Sequence, residues 1–423
     1  MRRVSAAELR RFLLDRLGLS GPLRSAAEAP GLATELAMIQ IDSIRVTGLR
    51  NHELAWLARS EATVAEFYAM LYERGEFRET HYPVFAVRRD WVPVLSHGFL
   101  DLKAPARRAR RRMLPLMQRI EDQIRTNGPV AAAHFESRRV PGGFNTIKST
   151  TKALEHLFMD RRLQISGRTP HFHRLFDLSE RALPELAGWQ PPPVAEYERF
   201  LMASALQVLK IATAEQWADR VALHYGQWRG ESIRRWRGLV EREAANLATP
   251  VEVADLPGKP VYWHRPEDAG GWAAAERAFD PSHPARIVPP LDNLLFNRKR
   301  FVALFGLDYK FEAYTPLAQR RYYFAMPVIH GDRVVAMVDA KRADGEWRIV
   351  GFEALAPAPA EALRQAVHRI ARHAGAAKVG ASARLPRELR RALVGKIDVW
   401  PESKSKTAPS SNSPAPIEGA GIK

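Results

Sequence analysis

A chain of 423 residues, 46% of them hydrophobic, has material for about three domains of ~150 residues each, and its 64 Lys and Arg against 47 Asp and Glu give a net charge of +17, a footprint suited to a polyanion. The absence of cysteine excludes disulfides, thiolate nucleophiles, cysteine-held iron–sulfur clusters and zinc fingers, which leaves carboxylates, amides, histidines and backbone to carry any chemistry. No stretch approaches the ~20 apolar residues of a membrane span, and Met1-Arg2-Arg3-Val4-Ser5 runs into a charged pattern without a signal peptide's apolar core, so a soluble cytoplasmic protein is expected.

In chain order, Ser5-Ala6-Ala7-Glu8 is a capping box opening a helix with Leu9, Phe12, Leu13 and Leu17 on one face, stopped by Gly18 and Gly21-Pro22. A helix around Leu32 to Met38 leads into Met38-Ile39-Gln40-Ile41-Asp42-Ser43-Ile44. If that run is extended, Gln40 and Asp42 project from one face while Ile39 and Ile41 bury the other; in a helix the two polar residues would lie about 200° apart. An amide beside a carboxylate can hold and polarise a water or steady a developing positive charge. The same spacing equally suits a plain strand edge or helix cap whose Asp satisfies a nearby backbone N–H. Val64 to Leu71 forms another amphipathic helix, and short strands around Phe77 and Val84 to Val87 complete a pattern of helices followed by a hairpin, as in a winged helix.

Ala104-Pro105 introduces Arg107, Arg108, Arg110, Arg111 and Arg112, five like charges that repel unless an anion such as phosphate is near. The pattern then recurs: a helix ending at Ile120 to Ile124, a turn at Gly128-Pro129, a short helix from Val130 to Phe135, a longer one from Ser149 to Phe158, and a hairpin of Leu163 to Ser166 with Phe172 to Phe176. Thr150, Lys152 and Arg161 are available to a nucleic-acid backbone, while His171 and His173 lack a third metal ligand nearby. Pro191-Pro192-Pro193 is a stiff linker. Beyond it, Val194 to Lys210, Thr213 to Leu223 and Arg229 to Leu247, with strands at Val251, Val253 and Val261 to Trp263, read as a diverged third copy. Tyr322 to Ile329, Arg333 to Ala340 and Glu346 to Phe352 are strands joined at His330-Gly331-Asp332 and Asp344-Gly345, both hairpin signals, so a small antiparallel sheet or barrel is expected. The fold class expected is α+β and mainly helical. Its units are tandem winged helices over 1–113, 114–190 and 191–284, a β-rich domain over 285–400, and a disordered Ser/Pro/Ala/Lys tail over 401–423.

No P-loop and no His-Glu-x-x-His is present, and Pro141-Gly142-Gly143 lacks the Rossmann spacing. Repeated winged helices with excess positive charge leave a DNA-acting enzyme or, alternatively, a non-catalytic DNA-binding regulator or architectural protein. Several segments resemble the YcaQ/AlkZ family of bacterial DNA glycosylases: Met38 to Ile44, Gly128-Pro129-Val130 with Phe135-Glu136, Leu154 to Phe158, Leu291 to Arg300, and Phe305 to Lys310. Glu312 to Pro316, Arg320-Arg321-Tyr322 and Pro327 to Asp332 extend the likeness, which runs in order over about residues 5 to 390. The resemblance implies a C-shaped protein of tandem winged helices with a small β-barrel, excising N7-alkylated guanine and unhooking interstrand crosslinks. Within that family the resemblance implies a catalytic Gln-x-Gln in AlkZ relatives and Gln-x-Asp in YcaQ relatives; Gln40 and Asp42 fit the latter, and His81, where the family also tends to carry His, is a possible assistant. Where relatives tend to have Asp-Pro and Trp-Asp, this chain has Asp292-Asn293 and Phe296-Asn297, and a tryptophan-rich family segment is missing around Phe144 to Lys148.

The chemistry agrees with that motif. N7 alkylation makes guanine a good leaving group, so a carboxylate stabilising the oxocarbenium-like sugar suffices, as in glycoside hydrolysis. Nothing marks a lysine as a Schiff-base nucleophile, so a monofunctional enzyme is expected. The basic residues assigned to DNA are Arg45, Arg107, Arg108, Arg110, Arg111, Lys148, Lys152, Arg298, Arg300, Arg320 and Arg321. The partner expected is double-stranded DNA with alkylated or crosslinked guanine, met by a monomer off the membrane, with no cofactor and no metal.

Overall fold

In the computed structural model, which describes residues 1–80, 84–97, 110–135, 139–141, 146–223, 232–277, 279–280 and 282–397, local sequence signals are realised first at helix ends. Ser5 Oγ accepts from Glu8 N while the Glu8 carboxylate accepts from Ser5 N at 2.7 Å, so helix Ala6–Arg16 starts with two otherwise orphaned donors satisfied. Its Leu9, Phe12 and Leu13 are fully buried. Helix Val64–Tyr68 continues into a π turn, Ala69–Glu73, instead of running on as α-helix. The expected helix over 130–135 is reduced to a 3-10 turn, Ala132–His134, because Val130 exchanges two backbone hydrogen bonds with Phe176 at 3.0 and 2.8 Å and is held as a β-bridge. No helix among the described residues is long and apolar enough to cross a membrane.

The chain is α+β. One sheet of four strands runs Arg2–Val4, Thr249–Val253, Val261–His264, Ile211–Ala212, with the first pair parallel, so the N-terminus is joined to the hairpin that follows helices Val194–Leu209, Ala214–Val221 and Ile233–Leu247. A second sheet of five antiparallel strands runs Met38–Gln40, Phe85–Arg88, Phe77–Glu79, Leu163–Arg168, Arg174–Leu178. The two hairpins expected as separate wings therefore share one sheet. Their junction is Glu79 against Ile165, and the buried Glu79 carboxylate accepts from Tyr72 Oη at 2.7 Å and from Arg168 Nε at 3.0 Å.

The third sheet, a curled half-barrel, has six strands: Arg286–Ile287, Met326–His330, Arg333–Ala343, Glu346–Ala354, Lys378–Ala381 and Gly395–Lys396. Asp344 and Gly345 have φ of 49° and 76°, as the tight hairpin there requires. The sheet is not purely antiparallel: Glu346–Ala354 and Lys378–Ala381 are parallel, with helix Ala360–His373 as the crossover such a pair needs.

Two apolar cores meet at strand Met38–Gln40. Ile39 and Ile41 belong to the larger, which runs from helix Ala6–Arg16 to the half-barrel and includes Trp56, Phe301 and Trp347. Met38 belongs to the other, with Phe85, Val87, Trp91, Leu201 and Trp217. The strand is thus held from both faces.

Candidate active site

Strand Met38–Gln40 is an edge, paired on one side only: Met38 with Val87, Ile39 with Ala86, Gln40 with Phe85. Ala37 O accepts from Arg88 N at 3.3 Å and Ile41 N donates to Val84 O at 2.9 Å, so odd-numbered residues direct their backbone to the partner strand. Side chains alternate as the spacing predicts. Ile39 and Ile41 are buried, while Gln40 and Asp42 leave the opposite face, half-buried, beyond Met38. Asp42 Oδ1 accepts from Ile44 N at 2.7 Å, an Asx turn that ends the extended run. The plain reading of this carboxylate is thereby observed, since one oxygen closes a turn by accepting from a backbone N–H, and no Lys or Arg among the described residues forms an ion pair with it.

The surroundings are aromatic. Phe296 packs edge-on to Phe85 with centroids 6.0 Å apart, and the Arg220 guanidinium lies 4.2 Å from the Phe296 centroid with Nη2 3.1 Å from Met38 Sδ. Tyr314 stands 82% exposed as a residue, and its hydroxyl is pushed up from the ordinary tyrosine value by the partial desolvation that its neighbours impose on the hydroxyl first and then by the negative charge of Asp42. Its loop is braced from within: Arg320 donates to Ala313 O at 3.2 Å and Thr315 O at 2.7 Å, and the Glu312 carboxylate accepts from Arg321 N and Tyr322 N at 3.0 and 2.9 Å. Tyr314 is the site neighbour that sequence reasoning missed as such; an exposed aromatic in a short polar loop was the available signal.

The residues assigned to DNA separate by burial. Arg300 is fully buried, its guanidinium donating to Leu209 O at 2.7 Å and Ile211 O at 2.5 Å, so it caps a helix end and cannot reach phosphate. Arg320 is the loop brace just described, and Arg110 is half-buried in an ion pair with Asp160, so both are given to the protein itself. Arg298 is exposed but lies over Tyr309, 5.1 Å from its centroid, and Arg321 is exposed and paired with Glu353 at 3.0 Å. Arg45, Arg111, Arg112 and Lys148 are exposed; Lys152 is half-buried on helix Ser149–Met159. Arg107, Arg108 and His81 lie outside the described residues.

The unusual residues near 292 have structural partners. Asp292 forms a bidentate pair with Arg59, both N···O distances 2.7 Å and both side chains buried. Asn297 Oδ1 accepts from Arg300 N at 2.8 Å and caps helix Arg298–Phe305. Asn293 Nδ2 donates to Met38 O at 3.0 Å. One lysine does have the depressed pKa of an amine nucleophile: burial holds Lys210 down at about 7, but its side chain is fully buried and donates to Glu35 O.

The structure is similar to that of Streptomyces sahachiroi DNA glycosylase AlkZ, with a TM-score of 0.54 and 17% identity over 91% of this chain and 100% of that one, a likeness of fold. The profile of the AlkZ-like DNA glycosylases matches residues 33–373. Since that match takes in the Gln40–Asp42 strand, the five-stranded sheet and the half-barrel as far as helix Ala360–His373, the chain belongs to the AlkZ-like family of DNA glycosylases.

Proposed function

We propose that the protein is a monofunctional glycosylase that hydrolyses the N-glycosidic bond of N7-alkylguanine in duplex DNA and unhooks crosslinks made through that atom. The observation that carries this reading is Asp42: in a chain of net charge +17, its half-buried carboxylate has no ion pair among the described residues, follows Gln40 by two positions along the chain, and is near enough for its charge to act on the Tyr314 hydroxyl. A carboxylate already neutralised by Arg would have little left to offer a developing sugar cation; this one keeps its charge available. As the bond to the cationic base lengthens, Asp42 stabilises positive charge on the sugar and takes the proton of the attacking water, while the Gln40 amide positions that water or the sugar. The base leaves neutral, so no general acid is required. The burial of Lys210 supports water, rather than an amine, as nucleophile.

We read the three groups of helices with a following hairpin as winged helices over 1–113, 114–190 and 191–284, with DNA held by the exposed Arg45, Arg111 and Lys148 and the half-buried Lys152. The test is incubation with duplexes carrying N7-methylguanine or an N7-linked interstrand crosslink, assayed for free base, abasic sites and separated strands. Release from either at enzyme excess is expected. Binding without release from both would leave a protein that only holds DNA.

A further inference from the structure

An edge strand leaves alternate carbonyls without a ladder partner. In strand Met38–Gln40 the outward ones are those of Met38 and Gln40, and both are taken by buried side-chain amides: Met38 O by Asn293 Nδ2 at 3.0 Å, Gln40 O by Asn51 Nδ2 at 2.9 Å. Asn293 Nδ2 also reaches Leu36 O at 3.5 Å, and the Lys210 ammonium takes Glu35 O one residue earlier. Asn51 is anchored in turn, since its Oδ1 accepts from Leu291 N at 2.9 Å and its Nδ2 also donates to Leu291 O at 3.3 Å. That set of partners allows only one placement of oxygen and nitrogen in the Asn51 amide. Both asparagines are buried, at 0% and 3% exposure, where an amide is costly unless bonded and an apolar side chain of similar size would pack as well. The shortest bond that each amide donates goes to the segment that carries Gln40 and Asp42.

We infer that Asn51 and Asn293 are positioning residues for base excision: they stand in for a sixth strand and fix where Gln40 and Asp42 leave the sheet. The inference rests on the reading of those two as the catalytic pair. The geometry it protects is tight, because reacting groups must be held to within ~0.5 Å and a displacement of about 1 Å can cost ~10²-fold in rate.

The test uses the full chain with Asn51→Leu and Asn293→Leu, which keep the branching and heavy-atom count of the side chain and lose the donor, and the Ser variants, which keep a shorter donor. Single-turnover release of N7-methylguanine is expected to slow by ~10- to 100-fold in each Leu variant and to recover in part with Ser, while affinity for unmodified duplex stays within about twofold. Amide exchange should quicken at Ile39 and Ile41 and hold steady in helix Val194–Leu209. In an Asp42→Asn background the same Leu substitutions should cost less than about threefold, since the group they position has lost its charge. Equal losses in both backgrounds, or full rates in the Leu variants, would overturn the inference. Should a Leu variant not fold, Ala at the same position carries the comparison. If the wild-type protein releases no base at all, the catalytic reading fails; unchanged exchange at Ile39 and Ile41 in the variants would then refute the pinning separately.

Discussion

Asp42→Asn isolates charge from shape. Asn keeps the Oδ1 acceptor that Ile44 N uses at 2.7 Å, so the turn and the melting temperature should survive; Asp42→Ala, which loses that bond, should cost ~1 kcal/mol of stability and serves as the contrast. Two unit charges 4 Å apart interact by ~1 kcal/mol in a water-like medium and ~4 kcal/mol at the effective dielectric near a protein surface. A half-buried carboxylate falls between those limits, and with ~1.4 kcal/mol for each factor of ten the chemical step should slow by ~10²-fold, within a range of ~5- to 1000-fold. Duplex binding should hold or tighten as repulsion from phosphate is lost. Gln40→Ala should lose less, because an amide positions but carries no charge. The assay is single-turnover release of N7-methylguanine, with binding and melting measured on the same preparations. A folded Asp42→Asn variant working at the wild-type rate would reduce Asp42 to a turn residue and refute the mechanism.

Arg111, Arg112 and Lys148 are exposed, and replacing them by Ala should flatten the dependence of log affinity on log salt by ~0.9 for each phosphate no longer neutralised, whereas Arg110→Ala should not, since Arg110 is paired with Asp160. A flattened slope with Arg110→Ala alone would reverse that assignment. Tyr314→Phe should discriminate alkylated from unmodified duplex as well as wild type, while Tyr314→Ala should lose ~2- to 30-fold, the value of an aromatic face to a cationic base; competition binding decides, and an unaffected Ala variant removes Tyr314 from the site. Burial, helped by Lys152 and Arg110, holds His156 down at about 4 from 6.5, so the unfolded chain takes up a proton that the folded chain refuses. Stability should therefore fall as pH drops from 6.5 towards 4, and His156→Leu should make that fall in melting temperature shallower; an identical pH profile would refute it.

What was legible in the sequence was chemistry confined to a few consecutive residues. The Ser5 and Glu8 reciprocal cap, the Asp344-Gly345 turn and the alternation at Ile39, Gln40, Ile41 and Asp42 each depend on neighbours within three positions. The merging of two hairpins into one sheet was not legible, because its junction pairs Glu79 with Ile165 and is closed by Arg168, 89 residues from Glu79 along the chain. Arg300 was misread for the same reason. Within Arg298-Lys299-Arg300 nothing local separates the exposed first residue from the buried third; the carbonyls that claim Arg300 belong to Leu209 and Ile211.

The candidate site combines both situations. Its two candidate side chains follow from strand periodicity, but the amides at its edge do not: nothing local marks Asn51, and Asn293 reads only as a departure from the usual Asp-Pro. Placed in three dimensions, the departure becomes intelligible. A proline at 293 has no side-chain donor, so Met38 O would lose the 3.0 Å bond it now receives and the edge would need another partner there. Basic charge outside and an unneutralised carboxylate within are then complementary parts of one arrangement. The net charge of +17 suits a polyanion, and Asp42 has no ion pair among the described residues, so in the proposed reaction its charge is available to the sugar.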